Sequence, residues 1–397
     1  MKRGVVDVAI FGGGVAGLWL LARLRQRGYA AVLLERQALG AGQTRYAQGI
    51  IHGGTKYALS GKLTGSSESI AEMPPIWRAC LAGEGELDLR AVRLLSPHQY
   101  LWSTESIGSR MAGFFASKLM RSRTRDVVGD ERPEVFRHPQ FKGQVYRLDE
   151  PVLDTASLVR ALAEPWQASI FALAEGYSIT GEEDGWLIGQ GDGDDTLLAK
   201  QVVFAAGAGN AELLSRCGHA QPAMQRRPLN MVMLRGGPGS PLPGILYAHC
   251  LGASTNPRIT ITSHRDEQGK TVWYLGGQIA EQGVGRGRDE QIAAARRELR
   301  ALFPWLDLEQ AQWGLLPIDR AEPKMADGSR PDNVFVHQQD GVITTWPTKL
   351  ALAPRLAARV IEQLQAAGLQ AGAAEVLPNW PRPDYARLPW QEEERWN

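Results

Sequence analysis

The sequence predicts an α/β fold: a Rossmann-like, dinucleotide-binding domain interleaved with an α+β domain built on a mostly antiparallel sheet. Three observations predict it. Residues 7–35 contain a full strand, glycine turn, helix and second strand. The same β/α grain returns at about 150–216 and 331–366. Between these segments, residues 226–314 hold short alternating runs suited to antiparallel strands.

The opening unit reads DVAIFGGGVAGLWLLARLRQRGYAAVLLE. Val8 to Phe11 is an apolar run, as expected of a parallel strand covered on both faces. Gly12, Gly14 and Gly17 follow in G-x-G-x-x-G order. Such glycines serve a tight turn, close backbone approach to a pyrophosphate, and helix–strand packing. Leu18, Leu21, Ala22 and Leu24 give the following helix an apolar face, and Gly28 stops it. Free amides over Gly14, Val15, Ala16 and Gly17, with the helix dipole, would face phosphate charge. The next strand ends at Glu35, followed by Arg36. A carboxylate there can accept both hydroxyls of a ribose and would repel a 2′-phosphate. FAD and NAD both satisfy this unit.

At 397 residues the chain is long enough for two or three domains. Lys and Arg number 44 against 43 Asp and Glu, a formal charge of +1, so no global field points to nucleic acid. Three widely spaced cysteines, Cys80, Cys217 and Cys250, give neither a disulfide framework nor a zinc pattern, so no metal is expected. They fit a reducing compartment and a cytoplasmic location. No stretch of 18 or more apolar residues exists, which excludes a membrane-spanning helix and leaves peripheral attachment at the inner face of a membrane open.

The later segments decide between the two dinucleotides. VLDTASLVRALAEPW predicts a helix capped by Asp154 or Thr155, and KQVVFAAGAGNAELL a strand running into glycine-rich backbone at Ala206 and Gly207. PDNVFVHQQDGVITTWPTKLALAPRLAARVIEQLQ predicts a strand at 334–336, a loop around Gly341, and a helix. A ligand touched at the front, middle and end of a chain is long, which favours FAD. The runs NMVMLRG, GILYAHC, RITITSH and TVWYLGGQ predict the antiparallel sheet, and DEQIAAARRELRALFP a helix stopped by Pro304. The domain boundaries expected are 1–80, 149–225 and 315–370 for the dinucleotide domain and 81–148 with 226–314 for the substrate domain. Residues 371–397 form a tail with prolines and three tryptophans, suited to wrapping the body or meeting a partner. The basic run KLMRSRTRDVVGDERPE reads as a solvated face.

Residues 38–59 read ALGAGQTRYAQGIIHGGTKYAL. Their glycines, Gly49 among them, permit close backbone approach, while Gln43, Thr44, Gln48, His52, Lys56 and Tyr57 supply polar chemistry. His52 stands between Ile50-Ile51 and Gly53-Gly54, so its ring is expected to be half-buried. As a general base its near-neutral pKa suits removal of a hydroxyl proton.

AIFGGGVAGLWLLARLRQRGYAAVLLE, GIIHGGTKY, VVFAAGAGN and GVITTWPTKLALAP together resemble the FAD-dependent D-amino-acid oxidase and glycerol-3-phosphate dehydrogenase superfamily. The resemblance covers nearly the whole chain and is specific for cofactor rather than substrate. It implies an FAD-binding domain of the glutathione-reductase type, with non-covalent FAD. Gly12, Gly14 and Gly17 would wrap the pyrophosphate and Glu35 the adenosine ribose. Thr44 and Gln48 would line pyrophosphate and flavin, and Ala206 and Gly207 would mark the second contact. Gly341, Val342, Ile343 and Thr344 would approach the pyrimidine end of the isoalloxazine, with His52 near the flavin face and Lys56 where relatives carry a phosphate-binding arginine. There are departures. WGLLPIDRAEP carries Leu316 where the family often has a substrate-gripping arginine, with Arg320 four residues later. The family's G-G-K-x-T-T lysine is displaced to Lys349.

The expected function is oxidation of a small polar, anionic hydroxy compound, a 2-hydroxyacid or polyol phosphate, by hydride transfer to flavin. His52 would take the proton, and Lys56, Arg320 and Lys349 would clamp the anion. Tyr57, Tyr247, His249 and Tyr274 are candidates for the substrate pocket, Tyr247 and His249 sharing a strand face. Oxygen, a quinone or a carrier protein would take the electrons. An amine or amino-acid oxidase is the alternative; flavin-dependent RNA modification or dinucleotide binding without turnover are readings of another class.

Overall fold

The computed structural model describes residues 3–54, 70–105, 124–191, 193, 195–252, 256–329, 331, 333–372 and 377–396. Among these, two eight-stranded sheets organise the chain. The first runs Phe335–Gln339, Val342–Trp346, Thr196–Phe204, Arg3–Phe11, Ala31–Glu35, Ile170–Ala172. The last five of these are mutually parallel, and Phe335–Gln339 closes the edge as an antiparallel hairpin partner. A further hairpin, Ser178–Glu182 with Gly185–Gly189, lies antiparallel against the start of Thr196–Phe204.

Side-chain alternation explains why the central strand is apolar throughout. Val8 and Ile10 point into a core shared with helices Val15–Gln26 and Ala353–Ala366, while Ala9 and Phe11 enter a second core with Val202, Phe204 and Trp186. Both faces are covered, so neither can be polar. Gly17 sits where the first helix crosses this strand, and a Cβ there would lie 2.0 Å from the Gly12 carbonyl oxygen. That contact sets the helix against the sheet.

The second sheet runs Gln312–Pro323, Met224–Arg235, Thr271–Gly276, Ile259–Arg265, Tyr247–Cys250, Gln99–Ser103, Gln144–Leu148, Thr124–Asp126. It is antiparallel except where Tyr247–Cys250 lies parallel to Gln99–Ser103. One face packs Val232, Leu234, Trp273 and Leu275 on helix Arg288–Leu302. The boundary expected at 315 falls inside the strand Gln312–Pro323. That strand pairs along its whole length with Met224–Arg235, so it belongs to the antiparallel sheet, and the parallel sheet resumes only at Phe335.

Helix Thr155–Ala163 is capped by Asp154, whose carboxylate accepts from the Ser157 amide at 2.8 Å. The described part of the tail wraps the body. Trp380 packs with Phe171, Trp390 stacks on His264 at 3.8 Å, and Glu393 pairs with the buried Arg235. No helix among the described residues is long and apolar enough to cross a membrane.

Candidate active site

A cavity of about 870 Å³ opens between the carboxyl ends of the parallel strands and the antiparallel sheet. Small-molecule sites occupy roughly 300–1,000 Å³, and open α/β sheets bind ligands outside the carboxyl ends of their strands. The first domain lines it from within residues 11–16, 34–37, 41–52, 205–213 and 346–353, with Leu173 and Tyr177. The antiparallel sheet closes it with Leu229, Met231, His249, Thr260 and residues 318–321.

The glycine turn, the AAGAGN segment and the end of the closing strand converge because hydrogen bonds tie them together. Gly12 donates to Leu34 O at 2.9 Å, and Ala205 donates to Phe11 O at 2.9 Å. Gly12 adopts φ +114, and a Cβ on it would lie 2.7 Å from Ala205 O, so only glycine fits this crossing. Asn210 accepts from the Ala206 amide at 2.8 Å and donates to Thr345 O at 2.9 Å, while the Trp346 indole donates to Gly207 O at 3.1 Å. Gly14, Val15 and Ala16 present the start of the first helix to the cavity, and the Thr44 hydroxyl accepts from the Val15 amide at 3.2 Å.

Glu35 reaches the cavity with its oxygens accepting from Gly13 N at 2.5 Å and Gln37 N at 2.7 Å. Burial pushes its carboxyl above the usual carboxylate range, against the pull of those two amides. Arg36, beside it, is paired with Glu212 at 2.8 Å. Gln43 accepts from the Ala321 amide at 2.6 Å, and Gln48 donates to Thr262 and to Tyr274 O, so both glutamines fasten the loop to the antiparallel sheet. Gly49 lines the same wall.

At the other end His52 lines the cavity, half-buried as expected, with its ring 5.4 Å from that of His249 at an interplanar angle of 27°. His249 Nδ1 lies 2.7 Å from the Thr260 hydroxyl. Arg320 and Lys349 are on the same walls. Leu316, four residues before Arg320, is in the core, so the cation at the cavity on this strand is Arg320. Thr348 has φ +61, a conformation that a β-branched residue rarely adopts, and it turns the chain between Trp346 and Lys349.

Several expected site residues lie elsewhere. Val342, Ile343 and Thr344 are buried inside the closing strand, and Gly341 sits at its far end against Trp186. The cavity meets that strand only where it ends, at Trp346 to Leu350. Tyr247 packs with Ile50 and Val152 in the core. Tyr274 is fully buried, its hydroxyl donating to Tyr46 O at 3.2 Å. Gly17 packs helix on strand and does not line the cavity. Lys56 and Tyr57 lie outside the described residues. Sequence reasoning missed Trp346, Met231, Thr260 and Asn256, of which Trp346, just past ITT and before Pro347, carried a readable strand-end signal.

A parallel-sheet nucleotide fold with a cavity running from its glycine turn to His249 and Arg320 on an antiparallel sheet has the architecture of a flavoprotein oxidoreductase. The chain belongs to the FAD dependent oxidoreductase (DAO) family, whose model matches residues 7–353. It is 51% identical over 392 residues to the probable FAD-dependent oxidoreductase PA4991 of Pseudomonas aeruginosa, covering 97% of each chain. The crystal structure of that protein superposes with a TM-score of 0.85 over 98% of both chains, at 46% identity. Glycine oxidase of Geobacillus kaustophilus (TM-score 0.63, 18% identity, 97% of this chain and all of that one) shares the fold. So does L-α-glycerophosphate oxidase of Mycoplasma pneumoniae (0.63, 14%, 97% and 99%), solved with FAD bound. The protein is therefore an FAD-dependent oxidoreductase, and the cavity residues fit its cofactor. Gly14, at the cavity wall, has only the Thr44 hydroxyl near its missing Cβ, at 3.0 Å, which leaves space for a ligand against the helix amides.

Proposed function

We propose that the enzyme oxidises a small, polar, anionic hydroxy compound, a 2-hydroxyacid or polyol phosphate, with FAD held non-covalently. The observation that carries this reading is the placing of His52 on the same cavity as Arg320 and Lys349. FAD, when bound, supplies the two-electron acceptor. The amides of Gly14, Val15 and Ala16 would hold its pyrophosphate, with Gln43, Thr44, Gln48, Gly49, Ala206 and Gly207 along its length and Glu35 at the adenosine ribose. Arg320 and Lys349 would give the anionic group of the substrate charge-assisted bonds, orienting its carbinol toward His52. His52 would accept the hydroxyl proton. An amine arriving neutral needs no such base, which favours the alcohol.

The test is anaerobic addition of 2-hydroxyacids, glycerol phosphates and amino acids to the yellow protein. Bleaching by a hydroxy compound is expected; bleaching by amino acids alone overturns the reading in favour of an amine oxidase. Peroxide formed on admitting air then separates oxygen from a quinone or carrier protein as acceptor, and release of flavin on denaturation tests non-covalent binding.

The raised carboxyl of Glu35 gives a pH prediction. Ribose hydroxyls donate to the carboxylate, so binding favours its charged form, and affinity present above its pKa falls as pH drops through it. Because burial has raised that pKa, FAD retention is expected to decline at a higher pH than an ordinary carboxylate would give. Glu35→Gln should bind FAD more weakly and lose this dependence, measured as flavin fluorescence released across a pH series.

A further inference from the structure

We infer that Glu150 is a positioning residue for His52: its buried carboxylate fixes the tautomer of the imidazole and offsets the positive charge that the ring gains with the proton. This rests on the reading of His52 as proton acceptor. Glu150 is 4% exposed and does not line the cavity, so it does not touch substrate. Its Oε2 lies 3.5 Å from His52 Nδ1, within ion-pair range. The Gln99 side chain, itself fully buried on strand Gln99–Ser103, donates to the same oxygen.

The backbone makes this approach obligatory. Ile51 donates to Pro151 O at 2.9 Å, Leu153 donates to Gly49 O at 2.9 Å, and Ile50 bridges Val152 antiparallel between them. Glu150 N is held on Leu148 O at 2.8 Å. The segment just after His52 runs so close that a Cβ on Gly53 would lie 3.1 Å from Glu150 Oε1. His52 and Glu150 are thus the facing ends of two clamped strands, one leading to the cofactor loop and the other to the antiparallel sheet.

A buried carboxylate is tolerated where charge or hydrogen bonds answer it. Gln99 supplies a neutral donor, and a protonated His52 would supply the charge. Among the described residues, the charged and titratable groups that face His52 or share its cavity end are Glu150 behind it, His249 stacked on it from strand Tyr247–Cys250, and Arg320 and Lys349 on the cavity walls. Two stacked imidazoles disfavour double protonation. The carboxylate lies against His52, whereas His249 Nδ1 faces the neutral Thr260 hydroxyl, so the first proton goes to His52. A proton held on Nδ1 by this ion pair would leave Nε2 as the acceptor. The hydroxyl proton bonds to Nε2 as the O–H bond breaks, its electron pair stays on oxygen, and Glu150 remains a carboxylate.

The test is a pH titration of the holoenzyme labelled with ¹⁵N-histidine, His52 and His249 being assigned through His52→Asn and His249→Asn. Expected in the wild type are an Nδ1–H tautomer for neutral His52 and protonation of His52 at higher pH than His249. Glu150→Gln should lower the His52 midpoint by about one pH unit, a tenfold loss of proton affinity, with the flavin spectrum and unfolding temperature unchanged. Glu150→Asp should fall between. An Nε2–H tautomer in the wild type, or equal midpoints in wild type and Glu150→Gln, overturns the inference; if Glu150→Gln does not fold, the wild-type tautomer and titration order decide. The titration uses no substrate. A panel in which no hydroxy compound bleaches the flavin therefore overturns the proposed function and leaves this pairing standing.

Discussion

His52→Asn is expected to slow substrate reduction of the bound flavin by roughly 10²–10⁴-fold while FAD stays bound, the range that a positioned general base contributes. That factor is about 2.7–5.5 kcal/mol of transition-state stabilisation. Asparagine keeps a polar end near Glu150 and removes the ring nitrogen proposed to accept the proton. The ring is 18% exposed, so its loss opens no deep cavity in the core. Stopped-flow reduction under anaerobic conditions, with a hydroxy compound that bleaches the wild type, measures the effect directly. The loss should fall on the limiting rate, with half-saturation nearly unchanged, because proton acceptance strengthens only as the hydroxyl ionises. A variant that reduces at the wild-type rate, or that fails only in substrate affinity, would make His52 a binding residue.

The parts of this site legible in the sequence are those whose constraints are local. Gly12, Gly14 and Glu35 lie within one strand–helix–strand unit, where spacing alone fixes which residues form the turn and which ends the second strand. The central AAGAGN segment was legible because an apolar strand must stop before glycine-rich backbone can meet a ligand. The closing segment was misplaced for the same reason, applied at the wrong residue. Thr344 reads as a ligand contact, yet it and Thr345 are both 1% exposed, and the Thr345 hydroxyl donates to Phe204 O inside the sheet. The Thr345 hydroxyl is satisfied by the neighbouring strand, and the strand continues to Trp346. Period-two alternation correctly put Tyr247 and His249 on one face, but it carries no information on distance along that face. Tyr247 consequently lies in the core while His249 reaches the cavity. Glu150 gave no signal at all, because its partner is nearly a hundred residues away and only the pairing of Ile50 with Val152 brings them together.

Gly14→Ala and Gly17→Ala are expected to fail in different ways, and the difference separates cofactor binding from folding. At Gly14 the backbone is at φ −76 and ψ 176, which alanine adopts without strain, and the added Cβ meets only the Thr44 hydroxyl at 3.0 Å. It does occupy the wall where the helix amides face the cavity. The apoprotein should therefore unfold close to the wild-type temperature, while the FAD dissociation constant rises at least tenfold, about 1.4 kcal/mol. At Gly17 the same methyl group would stand 2.0 Å from the Gly12 carbonyl oxygen, which belongs to the rigid turn and cannot rotate away. The helix must lift from the strand, and overpacking of this kind costs about 1–3 kcal/mol and sometimes more. Displacing the helix also withdraws the amides of Gly14, Val15 and Ala16, so stability and FAD affinity should fall together. Thermal unfolding of both apoproteins, paired with flavin fluorescence titration, distinguishes the cases. If Gly14→Ala destabilised the apoprotein as much as Gly17→Ala, the glycine turn would be structural alone and would not form the floor of the cofactor site.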